Sequence, residues 1–313
     1  MRRNRPQTLQ SHQPGPIRMT EPVILGICRF SYLGLGDWVP YRHDKSIEAD
    51  RLERIARSLY DETRLAARFR AFEAVCVPSI LAQEDPRFIF LVVSSPRMPA
   101  HWRARLQALC DPHDQIHLLW SDVPRLGDAL ADTLRELHQL SAGRLWQFRL
   151  DDDDAIDARF LPRLRRHIRR MDGLRDCAIS TARGVNVALY DGQPKRFLEY
   201  RRSFVAAGLA ARLSDPARSI FAFGHFGMAE RLSHFVDHEA VGALVLKWPS
   251  DSRAMNLDSP PAGWRAISSR AFGDHIRSSF PFLRGLDFDT LRPAPPSRDR
   301  PLEHAPDGAS GSV

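Results

Sequence analysis

Lysine is nearly missing from this chain: only Lys45, Lys195 and Lys247 occur among 45 basic residues in 313. Arginine therefore carries the formal net charge of +7, and because it is spread along the whole length it marks out no nucleic-acid groove. Cysteine is sparse too. Cys28, Cys76, Cys110 and Cys177 stand far apart, without paired spacing and each in an apolar run, which argues against a disulfide framework and for buried reduced thiols in a cytosolic compartment. No 18 consecutive apolar residues occur, and the arginine-bearing amino terminus has no apolar signal core. Neither a membrane span nor a secretory leader is expected, while peripheral contact at the inner membrane face stays open. Gly34-x-Gly36 lacks the third glycine of a dinucleotide fingerprint.

The 43% apolar content suffices for one large core. Residues 1–21, with Pro6, Pro14 and Pro16, and the Pro-rich 292–313 read as disordered tails around a single domain over 22–291. Val23–Cys28 reads as a buried strand. Leu65, Phe69, Phe72, Cys76 and Ile80 recur at helical steps, with Pro78 expected to kink or restart the helix. Strand Phe88–Val93, helix 99–110, strand Gln115–Trp120, helix Leu126–Leu140 and strand Trp146–Leu150 follow. This alternation predicts an α/β fold with a mostly parallel sheet flanked by helices. Beyond it, Phe160, Leu161, Leu164, Ile168 and Met171 share a helical face opposite an arginine run read as solvated. Strands over Cys177–Thr181, Val185–Tyr190 and Phe197–Arg201, with a turn at Asp191-Gly192, predict antiparallel elements in the second half, and Ser219–Phe223 is a further strand candidate.

The functional signal is the abrupt end of Trp146–Leu150 in Asp151, Asp152, Asp153 and Asp154. Ligands of open α/β sheets bind at the carboxyl ends of strands. In an extended backbone Asp152 and Asp154 face one way and Asp151 and Asp153 the other, so an Asp-x-Asp pair can converge on one hard cation, Mn2+ or Mg2+, both of which prefer oxygen ligands. The competing reading is a helix N-cap, for which one acid is enough; four adjacent carboxylates repel one another unless a positive partner offsets them. His225, between Gly224 and Gly227, is a candidate third metal ligand.

Arg64-Leu65, Arg68-Phe69, Pro78–Gln83, Phe88–Ser94 and Arg149–Ala155, in this order and spacing, resemble the putative rhamnosyltransferase family of glycosyltransferases over roughly residues 23–285. The resemblance implies a GT-A-like fold, with a nucleotide-sugar half over 22–155 and an acceptor half over 156–291. It implies transfer of a sugar, rhamnose by the family's name, from a nucleotide-diphosphate donor to a glycan or lipid-linked acceptor in polysaccharide biosynthesis. A divalent ion on Asp152 and Asp154 would stabilise the leaving diphosphate. Asp151 and Asp153 would serve ribose, sugar hydroxyls or the loop itself, and Arg29 and Arg64 the phosphates. Glu230, Glu239 and Asp251 are candidates for a base that deprotonates the acceptor, with Glu230 taken forward although no spacing selects it. Trp248, Trp264 and Phe272 read as core. A metal-dependent nuclease or nucleotidyltransferase, or a non-catalytic module on the same fold, are the alternatives.

Overall fold

A computed structural model describes residues 21–34, 49–248 and 255–293; the expected tails lie outside it apart from Glu21, Arg292 and Pro293, as do Gly36 and Asp251. The chain runs β1 (Val23–Arg29), α1 (Ala49–Leu59), α2 (Glu62–Ala71), a π-helical turn (Phe72–Cys76) and α3 (Val77–Leu81). It continues β2 (Ile89–Ser94), α4 (Ala100–Cys110), β3 (Ile116–Trp120), α5 (Leu126–Leu140), β4 (Leu145–Arg149), β5 (Ala155–Ile156) and α6 (Phe160–Arg170). The second half holds β6 (Cys177–Ala188), β7 (Arg196–Arg201), β8 (Ala210–Arg212), α7 (Met228–Arg231), β9 (Ser233–Lys247), β10 (Trp264–Ile267) and α8 (Ser269–Ser279).

The strands form one sheet in the order β10-β7-β6-β8-β4-β1-β2-β3, with β9 pairing β6 and β5. The first half is parallel throughout, β4 and β2 flanking β1 and β3 lying outside β2. The antiparallel elements expected of the second half are present in β7, β8 and β10, while β9 lies parallel to β6 over most of its length. The α/β sheet with flanking helices is thus the fold found. No helix among the described residues is long and apolar enough to cross a membrane.

Alternation along the buried strands sends side chains to two cores. Ile24, Trp146, Phe148 and Phe90 meet Leu65, Phe69 and Phe72 of the α2 side and Leu161, Leu164 and Ile168 of α6. Val23, Leu25, Ile27 and Leu145 meet Leu130, Leu134 and Leu137 of α5 on the other face. Trp248, Phe272, Ile276 and Phe280 close a third core against β6 and β9. The four cysteines are buried and free, as expected.

The helix from Glu62 restarts at Pro78 as expected: proline offers no N–H to the preceding turn and its ring crowds that carbonyl, and the π-helical turn Phe72–Cys76 sits where the ladder must widen. Three expectations change. The two strands read over 177–190 are one twelve-residue strand, its register shifting between Thr181 and Gly184, because Gly184 lets the backbone pass under Tyr200 and beside Ala243. Ser219–Phe223 is not a strand. Ile220–Ala222 is a 3-10 turn, capped by the Ser219 hydroxyl accepting from the Phe221 N–H. The arginine run is solvated at Arg166, Arg169 and Arg170, but Arg165 is buried and pairs with Asp85 at 2.7 Å. Arg163 reaches Asp157 at 2.6 Å.

Candidate active site

The chain leaves β1 toward β2 and β3 on one side, then returns to place β4 on the other side of β1. The carboxyl ends of β1 and β4 therefore flank the topological switch point, where such sheets leave a crevice for ligands. In parallel register Ile27 aligns with Arg149, so Arg29, two residues past Ile27, shares Arg149's face of the sheet. That face is apolar through Leu25, Ile27 and Leu145, and then turns polar at Gln147 and Arg149. Gln147 is buried and fixes the next segment: its amide donates to the Arg218 carbonyl at 2.9 Å, and its oxygen accepts from the Ile220 N–H at 2.9 Å. This anchor holds Phe221 against both arginines, with guanidinium carbons 4.8 Å (Arg29) and 4.6 Å (Arg149) from the ring centroid.

The acid loop begins at this point. Asp151 faces Arg29 at 3.5 Å and Arg149 at 3.6 Å, and its side chain is 33% exposed. The backbone then turns, with the Asp154 N–H donating to the Asp151 carbonyl at 3.2 Å, so the extended alternation that would set Asp152 beside Asp154 is absent. Asp152 and Asp153 instead converge on Arg68 of α2, at 3.0 and 2.5 Å. Asp153 also accepts from the Trp248 indole N–H at 2.5 Å. Asp154 turns to β9 and accepts from the Leu246 N–H at 3.2 Å. Nor is the loop a helix cap, since β5 follows it and α6 starts only at Phe160.

These partners set the charges. Burial alone would raise Asp151, but Arg149 and then Arg29 overcome it and hold the carboxyl at about 2. Burial pushes Asp152 up to about 6 against the pull of Arg68, with Asp153 adding repulsion. Burial, followed by the charges of Asp153 and Asp151, drives Asp154 well above the usual carboxylate range. The one acid of the loop that is both held ionised by its partners and partly exposed is Asp151.

Arg64 lies one helical turn before Arg68 and feels Asp152 and Asp153, but its hydrogen bonds go to the Leu59 carbonyl and the Ser31 hydroxyl at 2.8 and 3.3 Å. Burial and the neighbouring Arg68 push it down to about 10. His225 sits on the Asp151 side. Its Nδ1 donates to the Phe204 carbonyl at 2.6 Å, leaving Nε2 as the acceptor nitrogen. Burial lowers its pKa despite that carbonyl, Arg149 lowers it further and Asp151 opposes. Glu230 is exposed on α7 and Glu239 exposed on β9, and among the described residues neither shares a hydrogen bond or ion pair with the acid loop. Phe272 is core as expected; Trp248 is core and also a partner of the loop.

A cation site needs several hard oxygens converging on one point. Among the described residues no three His, Cys, Asp or Glu side chains gather in that way. Asp152 and Asp154 point to different elements, and Asp151 already faces two guanidinium groups. As arranged, these residues do not fit the expected divalent ion. Arg68 and Arg149 stand in the motifs that carry the family resemblance but are given no role there, and Gln147 and Phe221 lie outside those motifs. The signal for two of them was a polar Gln147 and Arg149 on alternate positions of a strand otherwise apolar enough to be buried on both faces.

The model of the putative rhamnosyl transferase family matches residues 23–257. No curated protein matches the chain. Among solved structures, S. aureus TarS 1-349 is similar at TM-score 0.37 and 8% identity, over 72% of this chain and 60% of TarS 1-349. The same protein in complex with UDP gives 0.38 and 7% over the same shares. A putative glucose-1-phosphate thymidylyltransferase from Bacillus anthracis in complex with a sucrose gives 0.37 and 9%, over 85% of this chain and 97% of that one. This chain therefore spans 60% of the TarS structures' length, and likenesses at these scores bear on neither ligand nor reaction. The family match covers most of the chain, including β1, the helix bearing Arg68 and the whole acid loop: the protein belongs to the putative rhamnosyl transferase family of glycosyltransferases.

Proposed function

We propose that this chain transfers a sugar, rhamnose in keeping with its family, from a nucleoside-diphosphate donor to a hydroxyl of a glycan or lipid-linked acceptor. The observation that carries this reading is the pairing of Asp151 with Arg29 and Arg149 at the β1/β4 switch point. Two forked donors suit phosphate oxygens, and an accessible ionised carboxylate beside them suits ribose or sugar hydroxyls. In the transfer, the bond from the anomeric carbon to the diphosphate oxygen breaks with its electron pair moving onto that oxygen. A new bond forms from the anomeric carbon to the acceptor oxygen, whose proton passes to solvent water. Charge grows on the diphosphate as the old bond breaks, so fixed positive groups at that spot lower the barrier.

The buried remainder of the loop supports the site rather than touching the donor. Arg68 and Trp248 tie Asp152 and Asp153 to α2 and to the end of β9, which holds Asp151 at the mouth of the crevice. The test is a panel of nucleoside-diphosphate sugars, rhamnosyl donors included, assayed for release of nucleoside diphosphate and for thermal stabilisation of the protein. Release from one donor, accelerated by an acceptor glycan, is the expected result. Silence across the panel together with stabilisation by oligonucleotides would move the chain to the nuclease or nucleotidyltransferase class.

A further inference from the structure

We propose that guanidinium groups, in place of a divalent cation, neutralise the donor's diphosphate in this chain, with Arg149 and Arg29 as the two arms of the cradle. The proposal rests on the glycosyl-transfer reading and adds how that site handles charge. Its first support is geometric: the acid loop closes as a turn, so its carboxylates face four elements, and the two that converge, Asp152 and Asp153, do so on Arg68. A second support is that the positions a cation would take beside these acids are held by fixed positive groups. Arg68 bridges Asp152 and Asp153, and Arg29 and Arg149 both face the single Oδ1 of Asp151. A divalent ion brought to Asp151 would sit against two like charges.

The third support is pre-organisation. Arg149 is 8% exposed and lies over Phe221, which Arg29 also approaches, and Phe221 is anchored through the buried Gln147. Side chains ordered in this way lose little freedom when an anion arrives, and a planar fork gives two hydrogen bonds per phosphate where a hydrated ion gives one point charge. Arg202 extends the positive lining, stacked 4.3 Å from Phe226 and acting on His225 together with Arg149. Donor binding would transfer the guanidinium forks from Asp151 to phosphate oxygens and release the Asp151 carboxylate to a hydroxyl of the donor.

The experiment uses the unmodified protein and two probes, inorganic pyrophosphate and a set of nucleoside diphosphates (UDP, dTDP, GDP and CDP), titrated calorimetrically in EDTA and again in Mn2+. The expected result is binding of at least one nucleoside diphosphate in EDTA, with Mn2+ changing Kd by no more than about threefold. Arg149→Gln and Arg29→Gln, each verified as folded by circular dichroism, should weaken pyrophosphate and nucleotide alike by about tenfold or more, while Arg149→Lys restores part of the loss. Binding that appears only with Mn2+, or that tightens about tenfold or more with it, overturns the guanidinium proposal and leaves the glycosyltransferase reading standing. Absence of binding in both buffers overturns that reading and the proposal with it. Because the EDTA comparison needs no substitution, an arginine variant that fails to fold does not shield the idea.

Discussion

Replacing Asp152 by asparagine should make the protein more stable as pH rises, relative to the parent. In the folded chain burial lifts this carboxyl from the ordinary aspartate value of 3.8 to about 6, even with Arg68 at 3.0 Å. Between about pH 4 and pH 6 the folded state therefore holds a proton that the unfolded state has released, and stability falls as pH rises through that window. At roughly 1.4 kcal/mol per pH unit, a gap of about two units makes the ionised form cost on the order of 3 kcal/mol at neutral pH. Asparagine matches the protonated acid in size, still offers Arg68 an acceptor and cannot ionise. Asp151, held at about 2, runs the opposite way, adding stability as pH rises from about 2 to 4. It is present in both proteins and largely cancels. Urea denaturation followed by tryptophan fluorescence, from pH 4 to pH 7.5, gives the difference in unfolding free energy between the two chains. That difference should move toward the variant by on the order of 3 kcal/mol over the range. A flat difference, or one that moves toward the parent, would show that Asp152 is not an acid strained by burial.

Arg68→Ala would leave Asp152 and Asp153 buried without their shared partner and should cost about 3–5 kcal/mol, read as a fall in thermal midpoint; an unchanged midpoint would contradict the bridge. Trp248→Phe keeps most of the ring in the third core but removes the indole N–H donated to Asp153, for an expected loss of roughly 1.5–3 kcal/mol in urea titration, and a loss near zero would show that the bond contributes nothing net. Gly184→Ala puts a methyl 2.5 Å from the Ala243 carbonyl oxygen and into the Tyr200 phenol end, so a destabilisation of about 1–3 kcal/mol or more is expected; a neutral result would mean that β6, β7 and β9 pack less closely than described.

The parallel half of the fold was legible because each of its elements buries a periodic apolar face that no other structure satisfies. Leu126–Leu140, with Leu130, Leu134 and Leu137 turned to the core, and the unbroken run of β2 admit one period each. The acid loop at the end of β4 was legible for the same reason, since an apolar run that stops at four carboxylates marks the end of a buried strand. The second half was less so. β9 begins Ser233-His-Phe-Val-Asp-His-Glu, polar enough to hide a strand, and is held there by its long pairing with β6, a contact between distant residues. Ser219–Phe223 has strand composition, yet the Ser219 hydroxyl bonds its backbone locally and the buried Gln147 side chain, reaching from β4, holds it in a turn away from the sheet.

What the sequence determined by itself was the α/β alternation, the place of the acids at a strand's carboxyl end and the family. What only the tertiary structure decided was which positive charge meets which acid. A single turn bond between Asp154 and Asp151 redirects all four carboxylates, and their partners, Arg68, Trp248, Arg29, Arg149 and the Leu246 N–H, come from four different elements. No local period encodes such meetings, because they depend on where helices and strands far apart in the chain come to rest against one another.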